Sequence, residues 1–272
     1  LHTGVKTRMT FKPAAQNTGI RFLRTDVPNA KPIPADIDHV VDISRGTTLE
    51  HNGSRIHTTE HVLAAISGLE IDNILIELDN KEPPVMDGSA IPFVDILLDA
   101  GFEEQEAARE YLVLDKTITY SDPDKGVDIH ALPSNQFRVT FLIDYKLQSL
   151  GTQYMSFYSL EQDFVEQIAP ARTFCFLHEV EELKAQGLIK GGSADTALVM
   201  IDRKIEESEL DRLQKLFNID EKLIQSENGI LNGKELRSKT EPVRHKILDL
   251  IGDLALLGMP IQGHITAARS GH

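Results

Sequence analysis

The segment EPVRHKILDLIGDLALLG, residues 241–258, is the longest helical pattern in the chain, with a proline in its first turn and a glycine at its end. Apolar residues cover most of the surface of this helix, which predicts burial on more than one side. His245, Asp249 and Asp253 nevertheless recur every four residues and therefore share one face. Because a buried carboxylate without a partner is strongly unfavourable, each aspartate needs a metal, a cation or a histidine beside it.

His245 and Asp249 can bind the same divalent ion, because the four-residue spacing puts an imidazole nitrogen and a carboxylate oxygen on one side of the helix. The same spacing also occurs by chance in helices that are merely salt-bridged, and on spacing alone that is the more common case. Lys246, the next residue, is by the same standard an ordinary solvated charge. The spacing of these residues on the helix therefore leaves both interpretations open.

Two other segments carry ionisable groups in suggestive positions. Glu60 and His61 begin a predicted helix, where the dipole favours a carboxylate. They are either a capping acid beside a partly exposed histidine, or a general base beside a third metal ligand. His272, which follows a Ser-Gly turn, is either an exposed histidine or one that Asp253 orients and whose pKa it raises.

The composition narrows the class of protein. The chain of 272 residues has 28 Lys and Arg against 42 Asp and Glu, and its net charge of −14 disfavours binding to nucleic acids or anionic membranes. Cys175 is the only cysteine, which excludes an internal disulfide and a cysteine-rich zinc module. No segment has the pattern of a membrane span or a signal peptide. We therefore predict a cytoplasmic protein.

Strand patterns followed by helical patterns occur twice along the chain, which predicts an α+β fold of two domains, 1–115 and 116–272. The predicted strands lie at 7–11, 18–26, 39–44, 73–79, 111–121, 126–133 and 136–145. The predicted helices lie at 58–71, 159–170, 179–187, 206–218 and 241–258, and residues 87–101 are predicted as a turn followed by a helix that ends at Gly101. We expect Gly68 to end the first helix as its C′ residue.

Long motifs extend over almost the whole chain. In order they are LHTG (1–4), PAAQNTGIRFLR (13–24), HTTEHVLAAISGLEIDN (57–73), PPVMDGSAIPFVDILLDAG (83–101), ARTFCF (171–176), GLIKGGSADTALV (187–199), RHKILDLIGDLALLG (244–258) and SGH (270–272). Their order and spacing resemble those of the zinc-dependent UDP-3-O-acyl-N-acetylglucosamine deacetylases, which act in lipid A synthesis in Gram-negative bacteria. The resemblance implies two α+β domains of similar topology, each with a small insert, near 43–59 and, as a βαβ-like element, near 171–200. The active site would lie between the domains.

By matching motif, the resemblance assigns the zinc ligands to His61, His245 and Asp249, with Fe²⁺ as the alternative metal. Glu60 then matches the general base that activates the attacking water, and His272 matches the general acid or electrostatic stabiliser.

The same comparison assigns supporting roles to further residues. Asp253 matches the acid that orients the histidine, and Thr173 matches a hydroxyl that binds the oxyanion. Lys246 and Arg269 match positive positions near the substrate, and Tyr145 matches an aromatic residue that contacts the nucleotide.

The substrate implied by the resemblance is an acylated UDP-sugar. Phe176, Ile189 and Val199 either line the passage for its acyl chain or form ordinary core, and the small Ala194 leaves the acyl length open. Some relatives are fused to an acyl-carrier-protein dehydratase, so a second domain is a possible covalent partner. The oligomeric state is open.

Two other classes remain as alternatives: a nucleotide phosphoesterase, which more often needs a second metal, and a sugar-nucleotide-binding module with structural zinc. A zincin peptidase is disfavoured, because the sequence lacks HExxH.

Overall fold

The computed structural model describes residues 1–145, 147, 150–187, 189–190, 196–202, 205–217 and 229–272. Its first eight strands are β1 (Met9–Pro13), β2 (Ile20–Arg24), β3 (Ile33–Pro34), β4 (Val40–Asp42), β5 (Thr48–His51), β6 (Ser54–Ile56), β7 (Ile74–Leu78) and β8 (Leu112–Val113). The others are β9 (Ile118–Asp122), β10 (Val127–Leu132), β11 (Arg138–Asp144), β12 (Thr152–Phe157), β13 (Phe174–Phe176), β14 (Leu198–Met200), β15 (Ile261–Gln262) and β16 (His264–Ala268). The α-helices are α1 (Glu60–Gly68), α2 (Ile91–Ala100), α3 (Leu160–Asp163), α4 (Leu177–Ala185), α5 (Glu207–Phe217) and α6 (Glu241–Leu254).

Two larger sheets organise the described residues. One has the strand order β1-β7-β2-β3, and the other has the order β12-β11-β16-β10-β9. In the second sheet the late strand β16 lies in the middle, parallel to β11 and antiparallel to β10. This mixture of sheets and helices confirms the predicted α+β class, whereas the domain boundary near residue 115 stays a prediction.

Smaller sheets accompany the two larger ones. In the region of the first predicted insert, β4, β5 and β6 form an antiparallel sheet. In the region of the second, β13 and β14 pair in parallel with α4 between them in the chain. The strand predictions missed β3, β5, β6, β13, β14 and β15, because strands of two to four residues are too short to show a clear alternation. They also missed the longer strands β12 and β16.

The helix predictions are right in position but not in every detail. Residues 159–170 contain the short α3 followed by a π-helical turn at Phe164–Ile168 instead of one continuous helix. The helical run 241–258 changes to a 3₁₀ turn at Ala255–Leu257 before the left-handed Gly258. The predicted helix 206–218 corresponds to α5, and its last residue lies outside the described part of the chain.

The expected role of Gly68 is wrong. This glycine is the last residue of α1 and not its C′ stop. A Cβ atom built on Gly68 would lie 2.2 Å from Cε1 of Phe164, so the ring occupies the space that a side chain would need. The glycine is required for close packing and not for a left-handed turn.

Helices α1 and α6 cross in the centre of the molecule. A Cβ atom on Gly252 of α6 would lie 2.1 Å from the carbonyl oxygen of Glu60 at the start of α1. The helices approach this closely only because residue 252 has no side chain. The apolar neighbours in both helices are fully buried, as shown by Val62, Leu63 and Leu248 at 0% exposure.

No helix within the described residues has both the length and the apolar character that crossing a bilayer requires.

Gly252→Ala tests the helix crossing. In an ordinary helix interior this change stabilises by about 1 kcal/mol through helix propensity. Here we expect a loss of about 1–3 kcal/mol, because the new methyl group overlaps the backbone of Glu60. Urea denaturation measures the free energy of unfolding. Gly271→Ala, whose Cβ would meet nothing within 4 Å, is the matched control. An unchanged or increased stability of Gly252→Ala would contradict the close approach.

Candidate active site

Three buried side chains at the helix crossing form a potential metal site. The ligand atoms of His61, His245 and Asp249 lie within 4.8 Å of one another. Oδ1 of Asp249 is 3.3 Å from Nε2 of His245 and 3.6 Å from Nε2 of His61. Ligand atoms of a tetrahedral zinc ion are about 3.3 Å apart when the bonds are about 2.0 Å long. The two imidazoles and the carboxylate therefore fit a zinc ion in both donor chemistry and spacing.

A hydrogen bond to a backbone carbonyl group fixes the tautomer of His245. Its Nδ1 lies 3.0 Å from the carbonyl oxygen of Ala171, so Nδ1 carries the proton and Nε2 presents a lone pair to the site. The following residue, Arg172, donates from its backbone N and from Nε to Oε1 of Glu241, at 3.0 and 2.8 Å. Glu241 is fully buried in the first turn of α6, so this ion pair ties the Ala171 loop to the helix that carries His245.

The protonation states also suit metal binding. Burial, with His245 as the next cause, lowers the pKa of His61 to about 3, and burial lowers the pKa of His245 as well. Burial alone would favour neutral Asp249, but His245 and Lys246 outweigh it and lower the pKa of that carboxyl. Two neutral imidazoles and one carboxylate are the forms that bind divalent zinc.

Lys246 lies directly beside the candidate ligands. Its Nζ donates to Oδ2 of Asp249 at 2.7 Å. Burial opposes the charge on Lys246, but Asp249 outweighs it and raises the pKa of the lysine. The ammonium group is therefore charged and mostly buried, unlike an ordinary solvated lysine.

Glu60 is almost completely buried at the first position of α1. Burial raises its pKa to about 7, and the negative charges of Asp249 and Asp253 act in the same direction. Its Oε2 accepts a hydrogen bond of 2.9 Å from the backbone N–H of Thr47. A carboxyl group with a pKa near neutrality can both accept and release a proton at physiological pH.

The predicted pairing of His272 with Asp253 is present. Nδ1 of His272 lies 2.9 Å from Oδ2 of Asp253. Burial opposes protonation of the imidazole, but the hydrogen bond with Asp253 and the charges of Asp249 and Glu60 outweigh it and raise the pKa of His272 to about 9. His272 is therefore a cationic acid at neutral pH.

Thr173 and an aromatic group lie near these residues. The backbone N of Thr173 donates to the carbonyl of Gly88 at 2.8 Å, two residues after the carbonyl that binds His245. The rings of Tyr145 and Phe176 meet edge to face with centroids 4.8 Å apart. Phe174 completes the aromatic group, at 5.8 Å from Tyr145 and 6.3 Å from the ring of His245.

The remaining predicted residues make contacts elsewhere. Arg269 donates from Nε to the carbonyl of Gly126, in the turn between β9 and β10, and its Nη2 lies 3.9 Å from Oδ2 of Asp128. Ile189 and Val199 belong to a second buried apolar cluster, which includes Leu177. Ala194, like the rest of 191–195, lies outside the described residues.

Sequence reasoning missed Thr47, Arg172 and Glu241 as parts of the site's surroundings. Thr47 contacts both Glu60 and Asp253, although it is 206 residues away from the latter. No local spacing could have indicated that contact. Glu241 had a usable signal, since an acid in the first turn of a buried helix requires a cation.

A comparison with known proteins agrees with this geometry. The sequence profile described as "LpxC: UDP-3-O-acyl N-acetylglycosamine deacetylase" matches residues 1–217 and 211–272. A protein of Chlorobaculum tepidum named "Bifunctional enzyme LpxC/FabZ" is 51% identical over the whole of this chain, which spans 58% of that protein. Relatives named "UDP-3-O-acyl-N-acetylglucosamine deacetylase" from Myxococcus xanthus and Actinobacillus succinogenes are 40% and 42% identical over the whole chain, which covers 78% and 81% of their lengths. The chain therefore belongs to the family of LpxC, the UDP-3-O-acyl N-acetylglycosamine deacetylases.

Proposed function

We propose that this chain is a zinc-dependent deacetylase that hydrolyses the acetamide of UDP-3-O-acyl-N-acetylglucosamine in lipid A synthesis. Water adds to the acetyl carbonyl, the carbon–nitrogen bond breaks, and acetate and the free 2-amino sugar nucleotide leave. The observation that carries the proposal is the cluster of His61, His245 and Asp249, to which a buried carboxyl and a cationic histidine are coupled. The names of the relatives support the choice of substrate.

Zinc held by His61, His245 and Asp249 would supply a Lewis acid that polarises the carbonyl and acidifies water. With these three protein ligands, the ion would remain accessible to substrate or water. The same donors also suit Fe²⁺, so reconstitution with each metal has to identify the native one.

Glu60 is the proposed general base. A pKa of about 7 lets its carboxylate take the proton of the attacking water at physiological pH, and burial keeps bulk water from competing for that proton. The hydrogen bond from the N–H of Thr47 fixes the carboxylate in one orientation.

His272 is the proposed general acid. Asp253 holds the Nδ1 side of the ring, which leaves the proton on Nε2 for the departing nitrogen of the sugar. The raised pKa keeps that proton in place until negative charge develops on the leaving group.

Other residues are proposed to bind the substrate. The hydroxyl of Thr173 and the ammonium of Lys246 would stabilise the oxyanion formed at the carbonyl carbon. Tyr145 would contact the nucleotide, and Arg269 would attract its phosphates. Two roles stay open for Phe176, Ile189 and Val199. These residues either line the passage for the acyl chain or form ordinary core.

We also propose two domains, 1–115 and 116–272, each with its insert, a cytoplasmic location, and fusion to a dehydratase domain. Several relatives, including one of Porphyromonas gingivalis, bear the name "Bifunctional enzyme LpxC/FabZ", which supports the fusion proposal.

Removing the base tests the mechanism directly. We expect Glu60→Ala to lower kcat for acetate release from the acylated UDP-N-acetylglucosamine by about 100-fold or more, because the variant lacks the carboxylate that accepts the proton of the water. The matched control is Glu77→Ala, which removes a carboxylate bound to Lys12 at the surface and should retain full turnover. Unchanged turnover in Glu60→Ala would refute this assignment.

Metal removal tests the cofactor. We expect chelator-treated protein to release no acetate and to recover activity when Zn²⁺ is added back. Metal analysis should find about one ion per chain. That content should drop in His61→Ala and persist in His57→Ala, whose half-buried imidazole pairs with Thr48 instead. Full activity of metal-free protein would rule out the metal-dependent reaction.

The pH profile tests the acid. His272 is protonated below its raised pKa of about 9 and loses its proton above it, so kcat/KM should fall on the alkaline side. Asp253→Asn removes a charge that raises this pKa, and the alkaline limb should therefore move to lower pH. His272→Ala should lose the limb altogether, whereas the control His130→Ala should keep it. Retention of the limb in His272→Ala would exclude His272 as the acid.

A further inference from the structure

Thr47 forms hydrogen bonds with two groups of the proposed proton-transfer system, Glu60 and Asp253. It is buried, at 1% exposure, and it lies immediately before β5. Its backbone N–H donates to Oε2 of Glu60 at 2.9 Å. Its hydroxyl Oγ1 donates to Oδ1 of Asp253 at 2.6 Å. One residue thus contacts the proposed base and the carboxylate that holds the proposed acid.

The backbone around Thr47 is fixed on the side of α1. Its carbonyl oxygen accepts hydrogen bonds of 3.1 Å from both the N–H and the hydroxyl of Thr59. The preceding Gly46 has a φ of +144°, and a Cβ atom there would lie 2.9 Å from Oε1 of Glu60. Thr47 is therefore held rigidly by the start of α1, and its hydroxyl reaches across to α6.

The carboxylate of Asp253 needs the hydroxyl of Thr47 as a hydrogen-bond donor to fix its orientation. Asp253 lies in the last turn of α6, where the helix dipole disfavours a negative charge. Its side chain is also partly open to solvent, so packing alone does not fix the carboxylate. Two donors bind it, the hydroxyl of Thr47 on Oδ1 and the imidazole of His272 on Oδ2. The first restricts the rotation that would break the second.

We propose that Thr47 is a positioning residue, whose hydroxyl holds Asp253 in the orientation that aligns His272 for proton donation. The proposal rests on the deacetylase function proposed above, and it assigns a role to a residue of the first insert region. Because the backbone of Thr47 also binds Glu60, this residue fixes the positions of the base and the acid relative to each other.

The test compares three variants of two adjacent buried threonines. Thr47→Val removes the hydroxyl and keeps the backbone N–H, and Thr47→Ser restores the hydroxyl. Thr48→Val is the matched control, because, among the described side chains, the hydroxyl of Thr48 forms a hydrogen bond only with His57. We expect Thr47→Val to lower kcat about 10- to 100-fold with KM nearly unchanged, and the serine variant to recover most of the loss. The Thr48→Val control should keep the turnover of the unmodified chain.

A double-mutant cycle separates positioning from a general effect on folding. If Thr47 acts through His272, Thr47→Val should cost little further activity in a His272→Ala background. Equal losses in both backgrounds would overturn the proposal, and so would normal kcat in Thr47→Val alone.

A measurement without turnover keeps this proposal distinct from the function itself. In protein labelled with ¹⁵N-histidine, the Nδ1 proton of His272 bound to Asp253 should give a downfield resonance that is absent in His272→Ala. It should persist in Thr47→Ser and Thr48→Val and broaden or vanish in Thr47→Val. A resonance unchanged in Thr47→Val would refute the positioning role. Failure of the unmodified chain to release acetate would instead refute the proposed function and leave this result standing.

Discussion

The structure depends on the close crossing of α1 and α6, where Gly252 leaves room for the backbone of Glu60. The crossing brings residues from distant parts of the chain within hydrogen-bonding distance. It also buries ionisable groups fully or in part, and partners of opposite charge offset the cost of that burial. Such pairs at the crossing are Lys246 with Asp249 and His272 with Asp253.

Neighbouring charges give buried groups of the same type different pKa values. Glu60 and Asp249 are both buried carboxyl groups, yet the pKa of Glu60 is raised and that of Asp249 is lowered. The difference arises because burial, helped by the charges of Asp249 and Asp253, dominates at Glu60, whereas the imidazoles and Lys246 beside Asp249 outweigh its burial. The same contrast separates His61, which is neutral, from the cationic His272. Two carboxyl groups and two imidazoles whose pKa values are shifted in opposite directions are the arrangement expected of acid–base catalysis.

Local sequence patterns predicted the features that depend on helical spacing. The stripe of His245, Asp249 and Asp253 follows from a period of 3.6 residues, and α6 occupies the expected segment. Patterns failed where the cause lies in a tertiary contact, as for Gly68, whose space is filled by Phe164. Sequence patterns also failed for Thr47, because no residue near it in the chain indicates its contact with α6. The grouping of His61 with the stripe came from resemblance to a family, since spacing alone left a salt-bridged helix as the more common explanation.

The donors of the proposed metal site come from two helices, one from α1 and two from α6. An ion bound by all three would bind only the folded chain, and it would therefore shift the folding equilibrium by mass action. At a free metal concentration about 1,000 times the dissociation constant, such linkage adds about 4 kcal/mol to the free energy of unfolding. This amount is comparable to the whole stability of many domains. Metal supply in the cell would then control how long the protein survives proteolysis as well as how fast it works.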